Sequence, residues 1–353
     1  MQDQVLDFRS DNTGCVAPQL IDALHAANTG SVSSYGADPW TERLQLRMSE
    51  LFETSVRVFP VATGTAGNAL SLAAACTSFG AVYSTPEAHI NTSELNATGF
   101  FASGAKVTPV PSPRGKLEAG LLADLLKHAG GWPHKSQPAA VNLVQATDLG
   151  EVYQVSEVDG IAKVARAHGL KVHMDGARFA NAVAHLGCTP AQITWKAGVD
   201  ILSFGATKNG GLLSDAIVVF SPEVAPQIDF HLRRAGLVWS KMRYASAQLM
   251  AYVEDGLWLQ LARQANDGAS RVAADLQQIG VRLASRVQAN EVFAELPAPV
   301  LDSLRDAGVL FARRGSEQAR FVCRWDNTAA ELDGLVAAIR TAVLTEGGRR
   351  PRP

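Results

Sequence analysis

Short apolar runs alternate with amphipathic segments between residues 57 and 220. Brief apolar runs are typical of buried strands, and apolar residues that recur every three or four positions are typical of helices. We predict helices in GTAGNALSLAAACTSFG and VDGIAKVARAHG, the second ending in a glycine suited to a helix C-cap. Seven segments are predicted as strands: RVFPVAT, GAVYST, AKVTPV, AVNLVQAT, KVHMD, DILSFGA and SDAIVVF.

This alternation predicts an α/β fold with a mostly parallel sheet covered by helices on both faces. Such sheets bind ligands beyond the carboxyl ends of their strands. We therefore expect functional residues to follow the predicted strands.

The pattern changes after residue 224. Helical periodicity covers 224–236 and 246–280, short strands are predicted at about 287–296, 309–313 and 319–325, and a helix at 329–343. The prediction is a large domain at 1–254 with an N-terminal arm at about 1–35, a small C-terminal α+β domain at 255–346, and a disordered tail at 347–353. A cleft between two domains is a common ligand site.

Composition and charge exclude several classes of protein. The 353 residues are 47% hydrophobic and carry a formal net charge of −2, which gives no general attraction to nucleic acid or anionic membranes. No secretory signal or transmembrane helix is predicted. The cysteines are widely spaced and form no C-x-x-C motif, so we predict neither a zinc site nor a disulfide framework, and a cytoplasmic setting.

A glycine and a threonine form a turn between the strand RVFPVAT and the helix after it. The backbone N–H groups of Gly64 and Thr65 would lie at the helix N-terminus, which suits a phosphate. The sequence is neither a Walker A loop nor G-x-G-x-x-G. The alternative is an ordinary helix capped by Thr63 or Thr65.

A carboxylate and an arginine follow the strand KVHMD. Asp175 could hold a cationic ring nitrogen, and Arg178 could bind an oxyanion or a carboxylate. One alternative is a salt bridge between these two residues. Another is a metal site with His173 and Asp175, although no third ligand is evident nearby.

A lysine follows the strand DILSFGA. An amine in an apolar or cationic pocket can be neutral and nucleophilic, so Lys208 could form a Schiff base. The alternative is a lysine whose stem packs while its head reaches water. Together, however, the turn, Asp175 and Lys208 supply the anion site, ring-nitrogen partner and amine that pyridoxal phosphate needs.

These residues lie in motifs whose order resembles one family. FRSDNTG and SYGADPW come first, followed by PVATGTAGN, EAHINTSE, HMDGARFANA, SFGATKNGG, MRYAS and RFVCRW. The chain resembles the fold-type I pyridoxal phosphate enzymes, and among them the L-threonine aldolase group of the β-eliminating lyase family, over about residues 5–340. The resemblance implies a seven-stranded, mostly parallel sheet in the large domain and a small C-terminal α+β domain.

The resemblance also implies how pyridoxal phosphate would be held. Lys208 would form the Schiff base, Asp175 would pair with the ring nitrogen, and His89 would lie against the ring. Gly64, Thr65 and Arg243 would bind the phosphate.

The substrate would be a small β-hydroxy-α-amino acid. The resemblance implies that Ser10 and Arg320 bind its carboxylate, and that Arg178 lies near the cofactor oxygen or that carboxylate. Tyr35 would reach a neighbouring active site in a homotetramer built as a dimer of dimers. No nucleic-acid or membrane partner is expected.

The implied reaction is the cleavage of L-threonine, L-allo-threonine and related compounds, with phenylserine among the candidates, to glycine and an aldehyde. His89 is the first candidate for the base that removes the β-hydroxyl proton. Two alternatives stay open. One is another pyridoxal phosphate reaction (β-elimination, transamination or racemisation), and the other is a non-catalytic protein that retains the scaffold.

Three residues depart from the family pattern. Asp148 stands where many members have a histidine, and Thr207 and Asn209 flank the lysine in place of serine and glycine. These departures leave the preferred substrate side chain open.

Overall fold

The computed structural model of the protein describes residues 5–347. The strands are β1 Leu6–Asp7, β2 Arg57–Val61, β3 Gly80–Ser84, β4 Lys106–Pro109, β5 Gln137–Val144, β6 Lys171–Gly176, β7 Ile201–Phe204, β8 Asp215–Val219, β9 Arg282–Leu283, β10 Glu291–Glu295, β11 Val309–Leu310, β12 Ala312–Arg314 and β13 Gln318–Val322. The helices are α1 Pro18–Ala27, α2 Pro39–Leu51, α3 Gly64–Ala75, α4 His89–Thr92, α5 Ala97–Phe101, α6 Ala119–Leu126, α7 Val155–Ala167, α8 Phe179–Leu186, α9 Pro190–Ile193, α10 Ala225–Arg234, α11 Arg243–Val253, α12 Leu257–Gln278, α13 Ala298–Asp306 and α14 Ala329–Gly347.

A seven-stranded sheet forms the centre of the fold, in the order β2-β8-β7-β6-β5-β3-β4. Strand β8 pairs antiparallel with both of its neighbours, while the other pairs are parallel. Six strands therefore run in one direction and β8 runs against them. The predicted α/β fold with a mostly parallel sheet is confirmed.

Both faces of this sheet are covered, as predicted. Along β8, Ala216 and Val218 belong to a core built with α2, α7, α11 and the start of α12, while Ile217 and Val219 face a second core built with α3 and α10. This arrangement follows from the alternation of side chains along a strand. A strand buried on both faces needs a continuous apolar run. Such a run made β8 recognisable in the sequence.

The C-terminal part has its own sheet, in the order β12-β13-β10-β9, with antiparallel neighbours. Its core includes Phe8, Val292, Phe321 and Ile339. Helix α12 contributes to this core and to the core of the large sheet. The predicted boundary at 254/255 stays a prediction, and the predicted tail lies outside the described residues except for Gly347, the last residue of α14.

Residues 6–8 pack against this C-terminal part. Strand β1 pairs in parallel with β11, and the backbone of Phe8 bonds to Leu310 and Val322. The residues after β1 are thereby brought to the edge of the large sheet. No helix within residues 5–347 is both long and apolar enough to cross a membrane.

Candidate active site

A cleft of about 460 Å³ opens at the carboxyl edge of the large sheet. Because β8 runs against the other strands, its first residue lies at the same edge as their last residues. Eight of the ten residues predicted for the site line this one cleft. They are Ser10, Gly64, Thr65, His89, Asp175, Arg178, Lys208 and Arg320.

Helix α3 begins at the floor of this cleft. Thr63 is its N-cap, and its hydroxyl oxygen accepts a hydrogen bond from the N–H of Ala66 at 3.1 Å. Within the described part of the chain, the backbone N–H groups of Gly64 and Thr65 have no acceptor. The capped helix and the anion site are therefore compatible, because the cap leaves two donors free for an anion.

Asp175 ends β6 as a buried carboxylate. Its Oδ2 accepts a hydrogen bond from Asn68 Nδ2 at 2.8 Å, and its Oδ1 accepts one from the N–H of Ala177 at 3.0 Å. Each of its two carboxylate oxygens therefore has a hydrogen-bond donor. The alternative of a salt bridge between Asp175 and Arg178 is wrong, because Arg178 pairs with other carboxylates.

Arg178 is held by two acidic residues that come from other segments. Its Nε and Nη2 donate to Asp11 at 2.7 and 3.1 Å, and its Nη2 lies 3.4 Å from Glu291 Oε1. Burial alone would lower the pKa of Arg178, but Asp11 and Glu291 outweigh it and raise the pKa. Only Nη1 of this guanidinium lacks a partner among residues 5–347, so Arg178 has limited capacity for a ligand.

Arg320 on β13 has more freedom to bind an anion. Its Nη1 lies 3.5 Å from Glu291 Oε1, and its Nη2 donates to the carbonyl of Arg9 at 3.2 Å. Its buried Nε has no hydrogen-bond partner in the described residues. Ser10 lines the same cleft, and its hydroxyl oxygen accepts from the N–H of Asn12, which leaves the hydroxyl hydrogen available. Both groups can therefore donate to a carboxylate.

Lys208 lies in a 3₁₀ turn after β7. Its amine makes no hydrogen bond or ion pair with any residue between 5 and 347. The turn itself is fixed, since Asp215 accepts the N–H groups of Ala206 and Thr207, and Asn209 donates to the Tyr252 hydroxyl at 2.7 Å. A rigid backbone thus presents an unpaired amine to the cleft.

Thr207 and Asn209, the two residues beside Lys208 that depart from the family pattern, lie in different surroundings. Asn209 is buried against α11 and α12 and does not line the cleft, so any influence on substrates has to act through the turn. Thr207 does line it, and its buried Oγ1 has no partner in the described residues.

Asp148, the third departure, also lines the cleft. Burial, together with the nearby carboxylates of Asp175 and Glu291, raises the pKa of Asp148 to about 7. A carboxyl group with this pKa can hold a proton near neutral pH and donate a hydrogen bond.

His89 is half-exposed at the start of α4. Its Nδ1 lies 2.7 Å from Oε1 of the fully buried Glu94. The hydrogen bond to Glu94 raises the pKa of His89 and outweighs the opposing effect of burial.

Two predicted site residues do not line the cleft of their own chain. Tyr35 is exposed, with its backbone N–H bonded to Ser240, and Arg243 donates to the carbonyls of Thr29 and Gly30. Their predicted roles in ligand binding stay predictions. The structure does not support the alternative of a metal site at His173 and Asp175. Both ring nitrogens of His173 are hydrogen-bonded, to Asn142 and Ser203, and residues 5–347 contain no metal-ligand cluster.

Sequence reasoning missed five buried polar residues around the site: Asp11, Asn68, Glu94, Asp215 and Glu291. Three of them lay inside motifs that had been singled out: Asp11 in FRSDNTG, Asn68 in PVATGTAGN and Glu94 in EAHINTSE. A polar residue within an otherwise apolar helix was the available signal for Asn68. Glu291 gave no such signal, because its partners lie far away in sequence.

Comparisons with known proteins agree with this geometry. The family model described as "Beta-eliminating lyase" matches residues 7–299. A low specificity L-threonine aldolase from Pseudomonas sp. (strain NCIMB 10558) is 40% identical over 97% of this chain and 99% of its own length.

Two solved structures have a similar fold. A threonine aldolase from Leishmania major superposes with a TM-score of 0.89 at 25% identity, covering 96% of this chain and 99% of its own. A serine palmitoyltransferase from S. paucimobilis, solved with bound PLP and myriocin, gives a TM-score of 0.73 at 15% identity, over 98% of this chain and 88% of its own. At that identity the second structure supports the fold alone.

Proposed function

Because the chain belongs to the β-eliminating lyase family, we propose that it is a pyridoxal-phosphate-dependent aldolase that cleaves L-threonine, L-allo-threonine and related L-β-hydroxy-α-amino acids to glycine and an aldehyde. One observation carries this proposal. The unpaired amine of Lys208 shares a cleft with the carboxylate of Asp175 and with the open N-terminus of α3.

The residues present fit pyridoxal phosphate. The free N–H groups of Gly64 and Thr65 would hold its phosphate, Asp175 its ring nitrogen and Lys208 its aldehyde carbon. The bound group would supply an electron sink for carbanion chemistry at Cα. The fit rests on two backbone donors without acceptors among residues 5–347, an amine without a partner among the same residues, and a buried carboxylate, all in one cleft.

Three residues of this chain would have separate roles in the reaction. Arg320 and Ser10 would hold the substrate carboxylate and orient the bond between Cα and Cβ. His89 would accept the β-hydroxyl proton at Nε2, because its Nδ1 is bonded to Glu94. The bond between Cα and Cβ breaks, the hydroxyl oxygen becomes the aldehyde carbonyl, and Cα gains a proton to give glycine.

A substrate panel tests this function. The protein loaded with pyridoxal phosphate would be incubated with threonine, allo-threonine, phenylserine and serine. We expect glycine and an aldehyde in equal amounts. Pyruvate and ammonia would instead indicate β-elimination, a keto acid transamination, and loss of optical purity racemisation. No product and no spectral change with any substrate would indicate a non-catalytic scaffold.

Replacing His89 with asparagine is expected to lower kcat by about 10²- to 10⁴-fold, the usual contribution of a general base. His89 accepts a proton only when it is neutral, so wild-type kcat/KM should fall as the pH drops through the raised pKa of His89. Rate profiles over pH for both proteins provide the measurement. A variant with near-normal cleavage and the same profile would remove His89 from this role.

Replacing Arg320 with lysine is expected to raise KM by about 10- to 100-fold, because lysine cannot reproduce the forked donors of a guanidinium. Steady-state kinetics with threonine would measure the change. The control is Arg314→Lys, since Arg314 lies on the neighbouring strand β12, packs over Phe293 and does not line the cleft. Equal KM values for the two variants would contradict the proposed carboxylate site.

We also propose a homotetramer built from dimers that share active sites, with Arg243 and Tyr35 serving the partner's cleft. Both residues lie outside the cleft of their own chain, which supports the proposal. Mixing Lys208→Ala with Arg243→Ala protein and allowing subunit exchange should restore about a quarter of wild-type activity, since half of the random dimers have one intact site. No recovery would contradict shared sites.

We also propose a reducing, cytoplasmic location. The four cysteines are unpaired, which supports this location.

A further inference from the structure

A chain of hydrogen bonds joins two sides of the cleft. Asn68 Nδ2 donates to Asp175 Oδ2 at 2.8 Å and to Glu94 Oε1 at 3.0 Å. The same Glu94 oxygen lies 2.7 Å from His89 Nδ1. The side chain of Glu94 is fully buried, so its carboxylate acts through these contacts alone.

The chemistry of these groups fixes the direction of each bond. An ionised carboxylate can only accept, so Asn68 has to turn its amide nitrogen toward both carboxylates, and His89 has to donate from Nδ1. This orientation leaves Asn68 Oδ1 and Glu94 Oε2 buried and without partners in the described residues. Such orphaned atoms cost stability. For Asn68 the opposite orientation would be worse, because its amide oxygen would then face the two carboxylates.

We propose that Glu94 is a positioning residue that fixes the tautomer of His89, with Nε2 unprotonated toward the cleft, and that Asn68 joins Glu94 to Asp175 in one network. This inference rests on the proposed function for its catalytic meaning. The base would present its lone pair to the substrate, while Asp175 would be held in line with the ring nitrogen. Neither Asn68 nor Glu94 would touch the reacting atoms.

Four charged groups act on His89 from different elements. Glu94, after α4, and Asp175, on β6, favour its charged form, while Lys208, after β7, opposes it. Asp148, after β5, also interacts with His89. Glu94 has the largest effect, so a change at Glu94 alone should be measurable.

Nitrogen-15 NMR of the protein without cofactor tests the network independently of any reaction. The His89 signals would be assigned as those missing from His89→Asn protein. We expect neutral His89 to carry its proton on Nδ1. A proton on Nε2 in the wild-type protein would overturn the proposal without the need for a further variant.

Glu94→Gln keeps the shape of the side chain and an acceptor for Nδ1 but removes the charge. The NMR titration of His89 should then move down by roughly one pH unit, because an opposite charge has been removed. The acid limb of kcat/KM should move to lower pH with it. The matched control is Glu87→Gln in the same turn, which contacts Ser112 and leaves His89 untouched. A shift no larger than that of the control would overturn the proposal.

The link to Asp175 has its own test. Asn68→Ala should weaken retention of pyridoxal phosphate by about tenfold, measured by equilibrium dialysis, because Asp175 loses one of its two donors. The control is Ser71→Ala, which removes a buried hydroxyl without a described partner from the same helix. Equal retention by both variants would disprove this link. Failure of the aldolase assay with the expected NMR results would instead reject only the proposed function.

Discussion

Replacing Lys208 with alanine is expected to lower turnover of threonine by about 10⁴-fold or more, because the variant lacks the amine that would link the cofactor. The fold should persist, since Asp215 and Asn209 hold this turn through contacts that do not involve the lysine side chain. Borohydride reduction followed by mass spectrometry gives a second measurement. The wild-type peptide that contains Lys208 should gain the mass of the reduced cofactor, and the variant should not.

Lys196→Ala is the matched control for this experiment. Lys196 forms a surface ion pair with Glu53, outside the cleft, and contributes little to stability. The control protein should therefore keep both the label and the activity. If Lys208→Ala protein also kept both, Lys208 would not be the cofactor lysine and the proposed function would lose its main support.

Replacing Asp175 with asparagine should lower kcat by about 10³-fold, because a neutral amide cannot stabilise a protonated ring nitrogen. Cofactor affinity should fall as well. The amide oxygen can keep the bond from Ala177, but the new amide nitrogen would face Asn68 Nδ2, one donor against another. Kinetics at saturating cofactor separate the catalytic loss from the binding loss.

Asp200→Asn is the control. It tests whether the loss of a carboxylate next to any strand would lower kcat in the same way. Asp200 precedes β7 at the opposite edge of the sheet, where it binds Lys171 and the backbone of Val172. We expect this variant to lose some stability and to keep its kcat per folded molecule. A similar kcat for the two variants would show that Asp175 has no special electronic role.

The fold around the large sheet was predictable because most of its strands are buried on both faces. Each predicted strand from RVFPVAT to SDAIVVF overlaps an observed strand. Eight helices within residues 5–347 were not predicted: α1, α2, α4, α5, α6, α8, α9 and α13. Of these, α2 has visible signals, with Asp38 as N-cap and Pro39 at its first position. Helix α1 lies within the segment at about 1–35 that was interpreted as an N-terminal arm.

Site residues could be predicted only where they lie at or just beyond the carboxyl ends of the strands. Asp175 lies at the end of β6, Gly64 and Lys208 follow β2 and β7 within a few residues, and parallel strands end at one edge. The partners of Arg178 could not be predicted in this way. Asp11 and Glu291 meet it through tertiary packing across most of the chain, so no local pattern contains the pairing.

The pairing of β1 with β11 sets an order of assembly during synthesis. Residues 6–8 reach their places only when residues 309–322 have left the ribosome, and Ser10 and Asp11 follow within a few residues of β1. At roughly 5 to 20 residues per second, about 300 residues take about 15 to 60 seconds. Until then Arg178 lacks its main counter-ion and the cleft lacks one wall. The nascent chain therefore completes its own cleft only near the end of translation.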